Sequence, residues 1–352
     1  MRTIKLIAMI LCIGVLPLQI TAQADTVKAK ILDDGSQDAE KAYNSGISNF
    51  SSKNYAAAVQ DFDNAISLKP DFERAWFNRG VTKHEMKNYK AAISDFDKAL
   101  TFKETEDVYF NRGQAKYALG DKSGAAEDYN RAIIVKSNYP QAYYYKGGIA
   151  FENKDYKNAI DDFTMAINQK PDYAYAYNDR ASAKQELNDL SGAIDDYNKA
   201  LVLNSEMAFT YNNIGSLKRK KGEYKEAIAS YTEAISEKKD YYIAYNNRGT
   251  AKYESGDYQG AIADFTKALE LKPDYVFSLN NRAAAKYKLK DYKGSMDDCT
   301  KAIQLSPEYG YAYMNRGIAK EMLKDLKGAC EDFKKAAQLG AEGAKNYAND
   351  CE

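Results

Sequence analysis

The chain has 352 residues, and its 50 basic and 50 acidic side chains give a net charge of zero. This balance argues against a nucleic-acid partner, which requires a basic surface. The chain has one histidine and shows no glycine-rich phosphate loop, paired metal-ligand spacing or nucleophile elbow, which argues against an enzyme. We therefore expect no catalytic residue, no cofactor and no metal site.

The N-terminal 24 residues have the pattern of a secretory signal peptide. Arg2 and Lys5 precede an apolar run (6–18), and residues 22–24, Ala-Gln-Ala, match a small-x-small cleavage site. The run is shorter than the ~20 residues needed to span a bilayer. We expect cleavage, no membrane span in the mature protein, and export to a bacterial periplasm or the extracellular space. A retained anchor and lipoprotein processing are the alternatives.

A polar, flexible lead-in (25–38) is followed by nine repeats of one 34-residue pattern, of which only the second is one residue shorter. Small residues recur at repeat positions 8, 20 and 27, and aromatic residues at positions 4 and 24. A period of this length is typical of a solenoid, in which each unit buries its apolar face against its neighbours. The repeats span 39–72, 73–105, 106–139, 140–173, 174–207, 208–241, 242–275, 276–309 and 310–343.

This pattern resembles the tetratricopeptide repeat. The seventh repeat shows it with Tyr245, Gly249, Ala261, Phe265 and Ala268 at positions 4, 8, 20, 24 and 27. The resemblance implies an all-α fold, a right-handed superhelical solenoid of nine helix-turn-helix units with a concave groove that binds a peptide or a protein. Residues 344–352 continue the numbering and are predicted to form a short C-terminal capping helix.

Position 6 carries the strongest indication of a binding site. It lies about 200° from position 4 on a helical wheel, so we expect it to point away from the core. Asparagine costs up to ~0.7 kcal/mol in a helix, whereas its amide can pair with both the N–H and the C=O of an extended peptide. The alternative is that duplication copied an inert residue. The predicted peptide-binding residues are Asn44, Asn78, Asn111, Asn213, Asn247, Asn281 and Asn315; Tyr145 and Asp179 interrupt the row.

Position 5 is predicted to line the same groove and to give it a direction. Its residue is aromatic in the first four repeats and asparagine in the next four. A ligand along the groove would therefore meet an apolar half and then an amide half. The residues are Tyr43, Phe77, Phe110 and Tyr144, followed by Asn178, Asn212, Asn246 and Asn280.

Positions 7 and 23 carry a recurring pair of opposite charges. Arginine stands at position 7 in six repeats and aspartate at position 23 in eight. The sixth repeat loses both partners together, with Ile214 and Ser230. This joint loss indicates an arginine–aspartate bridge between the two helices of one repeat. If exposed, each bridge would contribute only ~0–1 kcal/mol.

A disulfide is predicted between Cys330 and Cys351. The midpoint between them falls at Gly340 and Ala341, where the turn into the capping helix is expected, and residues equidistant from the turn of a helical hairpin lie at the same level. Two independent buried thiols are the alternative. Cys299 is the odd thiol, predicted to be an inert core residue.

Together these patterns predict a non-catalytic, exported scaffold that binds an extended peptide or a partner protein along the concave groove. A glycan-binding envelope protein is the alternative, because aromatic rings and amides also suit sugars. A non-catalytic subunit of an enzyme complex is a more remote one.

Overall fold

A computed structural model describes residues 36–351, which are helical and contain no strand. The predicted signal peptide and most of the lead-in lie outside these residues. The helices are α1 (Ser36–Ser51), α2 (Tyr55–Leu68), α3 (Glu73–Glu85), α4 (Tyr89–Phe102), α5 (Glu106–Ala118), α6 (Lys122–Val135), α7 (Pro140–Glu152), α8 (Tyr156–Gln169), α9 (Ala174–Glu186), α10 (Leu190–Leu203), α11 (Ala208–Lys220), α12 (Tyr224–Glu237), α13 (Tyr242–Glu254), α14 (Tyr258–Leu271), α15 (Val276–Lys288), α16 (Tyr292–Leu305), α17 (Gly310–Met322), α18 (Leu326–Gln338) and α19 (Ala344–Asn349).

The described residues form two compact units, 36–196 and 197–351. In each unit, an odd-numbered helix packs against the even-numbered helix that follows it, and each pair packs against the next. The predicted all-α arrangement of helix pairs followed by a short final helix is confirmed. The first helix begins at Ser36, three residues before the predicted start of the first repeat. Among residues 36–351, no helix is both long and apolar enough to cross a membrane.

The turn between the two helices of each repeat has the same backbone geometry throughout. The residue at position 15 has a positive φ in all nine repeats, from 60° at Lys87 to 91° at Gly256. This left-handed conformation ends the first helix. In six repeats the aspartate that follows accepts a hydrogen bond from the backbone three residues on, as Asp257 does from Gly260 N at 2.9 Å, and this bond begins the second helix. Each repeat is therefore a helix-turn-helix unit, as the resemblance to the tetratricopeptide repeat implies.

Close approach of the two helices explains the glycines at position 8. In seven repeats a Cβ on this glycine would lie 2.6–3.0 Å from the aromatic ring at position 24. These rings, such as Phe265 opposite Gly249, are almost fully buried. The eighth repeat has Ala283 at position 8, and the same repeat has the smaller Cys299 at position 24. Position 8 therefore sets how closely the helices approach.

The C-terminal helix α19 closes the last repeat. Tyr347 stacks on Phe333, with ring centroids 5.0 Å apart, and Cys330 and Cys351 form a disulfide with a Cα–Cα distance of 5.5 Å. The predicted disulfide is thus present, and it ties α19 to α18. Because α19 has only 6 residues, it is too short to be stable without such contacts.

We predict that replacing Cys330 and Cys351 together with serine releases α19 from the last repeat. Closing a loop of about 20 residues contributes about 3 kcal/mol in the chain-entropy account. Amide hydrogen exchange of residues 344–351 should therefore accelerate by two orders of magnitude or more. Cys299→Ser is the control and should leave exchange in this segment unchanged. Equal exchange in the wild type and the double variant would contradict the prediction.

Candidate functional site

The position-6 asparagines are mostly buried, so the prediction that this row points away from the packed interior is wrong. Asn78, Asn111, Asn213 and Asn281 are 2–6% exposed. Asn247 and Asn315 are half-buried, and only Asn44 is exposed. The physical reason is that first helices of successive repeats contact one another within each unit, which covers this side of the helix. Whether the row binds a ligand stays a prediction.

Hydrogen bonds join positions 5 and 6 of neighbouring repeats into a ladder. The position-6 amide donates to the position-5 side chain 35 residues earlier, as Asn247 Nδ2 does to Asn212 Oδ1 at 3.0 Å. Asn281 and Asn315 donate in the same way to Asn246 and Asn280, at 3.2 and 2.8 Å. These amides therefore hold successive first helices in register, a role that the sequence analysis missed although the 35-residue spacing was available to indicate it.

The ladder does not require asparagine at position 5. In the second repeat, Asn78 Nδ2 donates to the hydroxyl of Tyr43 at 2.7 Å. The predicted groove-lining residues of position 5 are buried, except for the half-buried Phe110. The expectation that this row faces an open groove is therefore wrong for its buried members. In five of them the position-6 residue of the next repeat forms a hydrogen bond to the position-5 side chain, as Asn78 does to Tyr43. The buried members are Tyr43, Phe77, Tyr144, Asn178, Asn212, Asn246 and Asn280.

Three side-chain amide atoms on α3 and α5 are left without a partner. Asn78 Oδ1, Asn111 Oδ1 and Gln114 Nε2 are enclosed, and none has a hydrogen bond within the described part of the chain. The Asn111 amide nitrogen donates only to the carbonyl of Asp107 in its own helix, at 2.8 Å. Asn111 and Gln114 are three residues apart and share a face of α5. Two unused acceptors and one unused donor therefore lie on the first helices of the second and third repeats.

Asp179 replaces asparagine at position 6 of the fifth repeat and reverses the ladder bond. The Tyr144 hydroxyl donates to Asp179 Oδ2 at 2.7 Å, and Asn178 Nδ2 donates to Oδ1 at 2.9 Å. Asp179 is 1% exposed. Burial raises the pKa of its carboxyl to about 7, although both hydrogen bonds act in the opposite direction. This side chain is therefore partly protonated near neutral pH.

We predict that Asp179→Asn stabilises the chain at pH 8 and has a smaller effect at pH 5. Because the folded-state pKa lies above the unfolded value of 3.8, wild-type stability falls as pH rises from about 4 to about 7. The full difference corresponds to about 4 kcal/mol, of which about 3 kcal/mol falls between pH 5 and 8. Thermal melts between pH 5 and 8 measure it. The matched control is Asn111→Asp, which should lose stability as pH rises. A pH-independent difference between Asp179→Asn and the wild type would contradict the assignment.

The predicted arginine–aspartate bridge is present in all six repeats that carry both residues. The guanidinium is bidentate on the carboxylate: in the seventh repeat, Arg248 Nε and Nη2 donate to the two Asp264 oxygens at 2.9 and 2.7 Å. Asp264 is 4% exposed, so these are not the exposed bridges of low value considered above. The pairs are Arg79–Asp95, Arg112–Asp128, Arg180–Asp196, Arg248–Asp264, Arg282–Asp298 and Arg316–Asp332.

Two further partners complete this seam between the helices. The lysine at position 11 also contacts the aspartate, as Lys252 Nζ does Asp264 Oδ2 at 2.8 Å. The third guanidinium nitrogen reaches position 25 of the preceding repeat, as Arg248 Nη1 does Thr232 at 3.1 Å. The arginine therefore joins the two helices of its own repeat and also ties that repeat to the one before. The sequence analysis identified the first role only.

We predict strong energetic coupling between Arg248 and Asp264. A double-mutant cycle with Arg248→Met and Asp264→Asn should give an interaction energy of about 1–3 kcal/mol, because either single change removes the bidentate partner of a desolvated group. The matched cycle pairs Arg248 with Asp298, which belongs to the next repeat and binds Arg282. Its coupling should stay below about 0.5 kcal/mol. Similar values in both cycles would contradict the pairing.

Family models and solved structures of known proteins match this chain. Sequence models described as tetratricopeptide repeats match residues 73–106, 110–174, 210–241 and 242–275. The chain belongs to the tetratricopeptide repeat family. Comparison with curated proteins found no match.

Solved structures show the same tetratricopeptide fold. A tetratricopeptide repeat protein from Parabacteroides merdae is 20% identical with a TM-score of 0.56, over 70% of this chain and 98% of that one. The hetero-tetramer Cut9-Hcn1 of APC/C is 15% identical with a TM-score of 0.57, over 92% of this chain and 78% of that one. Yeast Tom70 is 14% identical with a TM-score of 0.51, over 90% of this chain and 96% of that one. At these identities the likeness concerns the fold alone.

Two titratable side chains of the tetratricopeptide repeats have environments that favour their neutral forms. His84 is half-buried against Tyr89, with ring centroids 5.1 Å apart, and burial lowers its pKa. Cys299 is fully buried, and burial raises the pKa of its thiol. Within residues 36–351, no group of three or more His, Cys, Asp or Glu side chains is arranged to hold a metal ion.

Proposed function

We propose that the chain is a non-catalytic scaffold that binds an extended segment of a partner protein along its first helices, with the main contacts in the second and third repeats. The observation that carries this proposal is the set of unpartnered amide atoms of Asn78, Asn111 and Gln114, which are enclosed, so that a ligand reaches them when the side chains over them move aside. A buried polar atom without a hydrogen bond costs about 1–3 kcal/mol. A ligand that supplies the missing hydrogen bonds removes this cost. Packing within the protein itself does not require unpaired amide atoms.

The chemistry of these atoms fits a peptide backbone. Two acceptors and one donor match the N–H and C=O groups that every extended chain presents, without dependence on its side chains. Phe77 and Phe110 precede Asn78 and Asn111 at position 5 and give the site apolar surroundings, and in such surroundings hydrogen bonds are stronger than in water. The site would therefore bind many sequences with an extended backbone.

Three other position-6 asparagines support the site indirectly. Asn247, Asn281 and Asn315 use their amide nitrogens in the ladder, so their removal should weaken packing between repeats. The first member, Asn44, is exposed and can extend the peptide site beyond Asn78. In this row, Asn78 and Asn111 would therefore bind the peptide, whereas Asn247, Asn281 and Asn315 hold neighbouring repeats together.

We predict that the double variant Asn111→Ala/Gln114→Ala loses peptide binding without losing stability. Peptides selected from a random-sequence display library on immobilised residues 25–352 serve as the probe. Their affinity, measured by fluorescence anisotropy, should fall at least tenfold. The melting temperature should stay the same or rise, because two unsatisfied polar groups are removed.

The matched control is Asn247→Ala. It leaves the buried Asn212 oxygen without its donor, so the melting temperature should fall while peptide affinity stays within about twofold. Failure to select any peptide, or unchanged affinity in the double variant, would overturn the proposed function. Retention on polysaccharide with no peptide selected would favour glycan binding instead.

We also propose that the protein is exported. The support is the disulfide between Cys330 and Cys351, since structural disulfides persist in oxidising compartments, together with the signal pattern of residues 1–24. Non-reducing peptide mapping of material recovered outside the cytoplasm tests both. Absence of the protein from that material would contradict export, retained residues 1–24 would contradict cleavage, and free Cys330 and Cys351 would contradict the disulfide.

A further inference from the structure

The fourth repeat departs from the seam chemistry of its neighbours. Position 7 is Lys146 where six repeats have arginine, and position 11 is Ala150 where seven have lysine. The aspartate at position 23, Asp162, is kept and is 7% exposed. It accepts a single hydrogen bond within the described part of the chain, from Lys146 Nζ at 3.0 Å. A buried carboxylate is thus left with one partner.

The third repeat shows what is missing. There, Asp128 accepts from Arg112 Nε and Nη2 at 2.9 and 2.6 Å, and Lys116 Nζ lies 2.8 Å from its Oδ2. The first repeat also lacks the cations, but Ser45 and Asn49 donate to its Asp61 at 2.8 and 2.7 Å. The sixth repeat has lost the carboxylate. Among the described repeats, only the fourth therefore keeps the aspartate without replacing its donors.

A cavity occupies the place of the missing side chains. It has a volume of about 380 Å³ and is lined by Lys146, Ala150, Asp161 and Asp162, with Ile149 and with Ala126 from α6. This volume is in the range of small-ligand sites. Ala150 opens it, because a lysine at this position extends across the seam to the aspartate in the other repeats. The Asp162 oxygen that Lys146 does not contact is available from this cavity.

The charge of the cavity favours a cation. Asp155 and Asp161 add negative charge beside Asp162, and only Lys146 opposes them among the lining residues. Burial raises the pKa of Asp162, the contact with Lys146 lowers it, and Asp161 and Asp155 raise it to a smaller extent. A second cation would relieve both the burial cost and the repulsion.

We propose that this cavity binds the guanidinium group of an arginine side chain from a partner protein. Six other repeats of this chain place a guanidinium against the equivalent aspartate, and Lys146 leaves one Asp162 oxygen for such a contact. Positions 7 and 11 lie on the opposite side of the first helix from position 5. The cavity is therefore a second binding site, independent of the peptide site proposed above.

The test uses N-acetyl-arginine amide as the probe and the full mature chain, residues 25–352, labelled at alanine methyl groups. Ala126 and Ala150 line the cavity and report directly on its occupancy, whereas Ala312 is buried in the other unit and should not respond. We expect saturable shifts of the two cavity methyls at millimolar probe, at constant ionic strength. The lysine and glutamine analogues should bind at least fivefold more weakly.

Two variants make the test decisive. Lys146→Arg/Ala150→Lys converts the fourth repeat to the pattern of its neighbours, so that its own cations should fill the cavity. The affinity for the probe should fall at least tenfold, and the melting temperature should rise. Asp162→Asn keeps the cavity open, and it should lower the affinity for the probe to a similar extent. Unshifted cavity methyls in the wild type would overturn the proposal, as would unchanged binding in either variant. Equal binding of the lysine analogue would overturn the assignment to arginine.

Discussion

A buried aromatic ring beneath a glycine sets the distance between the two helices of a repeat, and the other contacts depend on that distance. In the seven repeats with glycine at position 8, the ring at position 24 leaves no room for a Cβ there, as Phe265 and Gly249 show. At this separation, Arg248 can place two guanidinium nitrogens on Asp264 at 2.7–2.9 Å. A wider gap would leave the buried carboxylate without its donors, which is costly in a low-dielectric interior.

Two kinds of hydrogen bond connect one repeat to the next. On one side of the first helix, amides of positions 5 and 6 form hydrogen bonds across 35 residues. On the opposite side, the arginine of position 7 reaches position 25 of the preceding repeat. Both contacts are directional, whereas apolar packing tolerates small slips. They therefore define the register between repeats, and the alanine-rich core supplies the burial.

The repeats that break these rules are the ones on which the two proposed binding sites lie. Asn111 and Gln114 keep amide atoms that the ladder does not use, and the fourth repeat keeps Asp162 without its usual donors. Asp179 places a carboxyl where other repeats have an amide, so its hydrogen bonds depend on pH. Each departure costs stability within the fold. A bound partner, or a proton in the case of Asp179, can recover that cost.

The sequence by itself determined the helix-pair architecture, the arginine–aspartate seam and the disulfide, because each depends on spacing within one repeat or one hairpin. The joint replacement by Ile214 and Ser230 was enough to indicate the seam. Only the tertiary structure decided that Asn78 and Asn281 are buried, that Asn111 keeps an unused oxygen and that Ala150 opens a cavity. A helical wheel gives the direction of a side chain on its own helix, whereas burial depends on which neighbouring helix covers that direction.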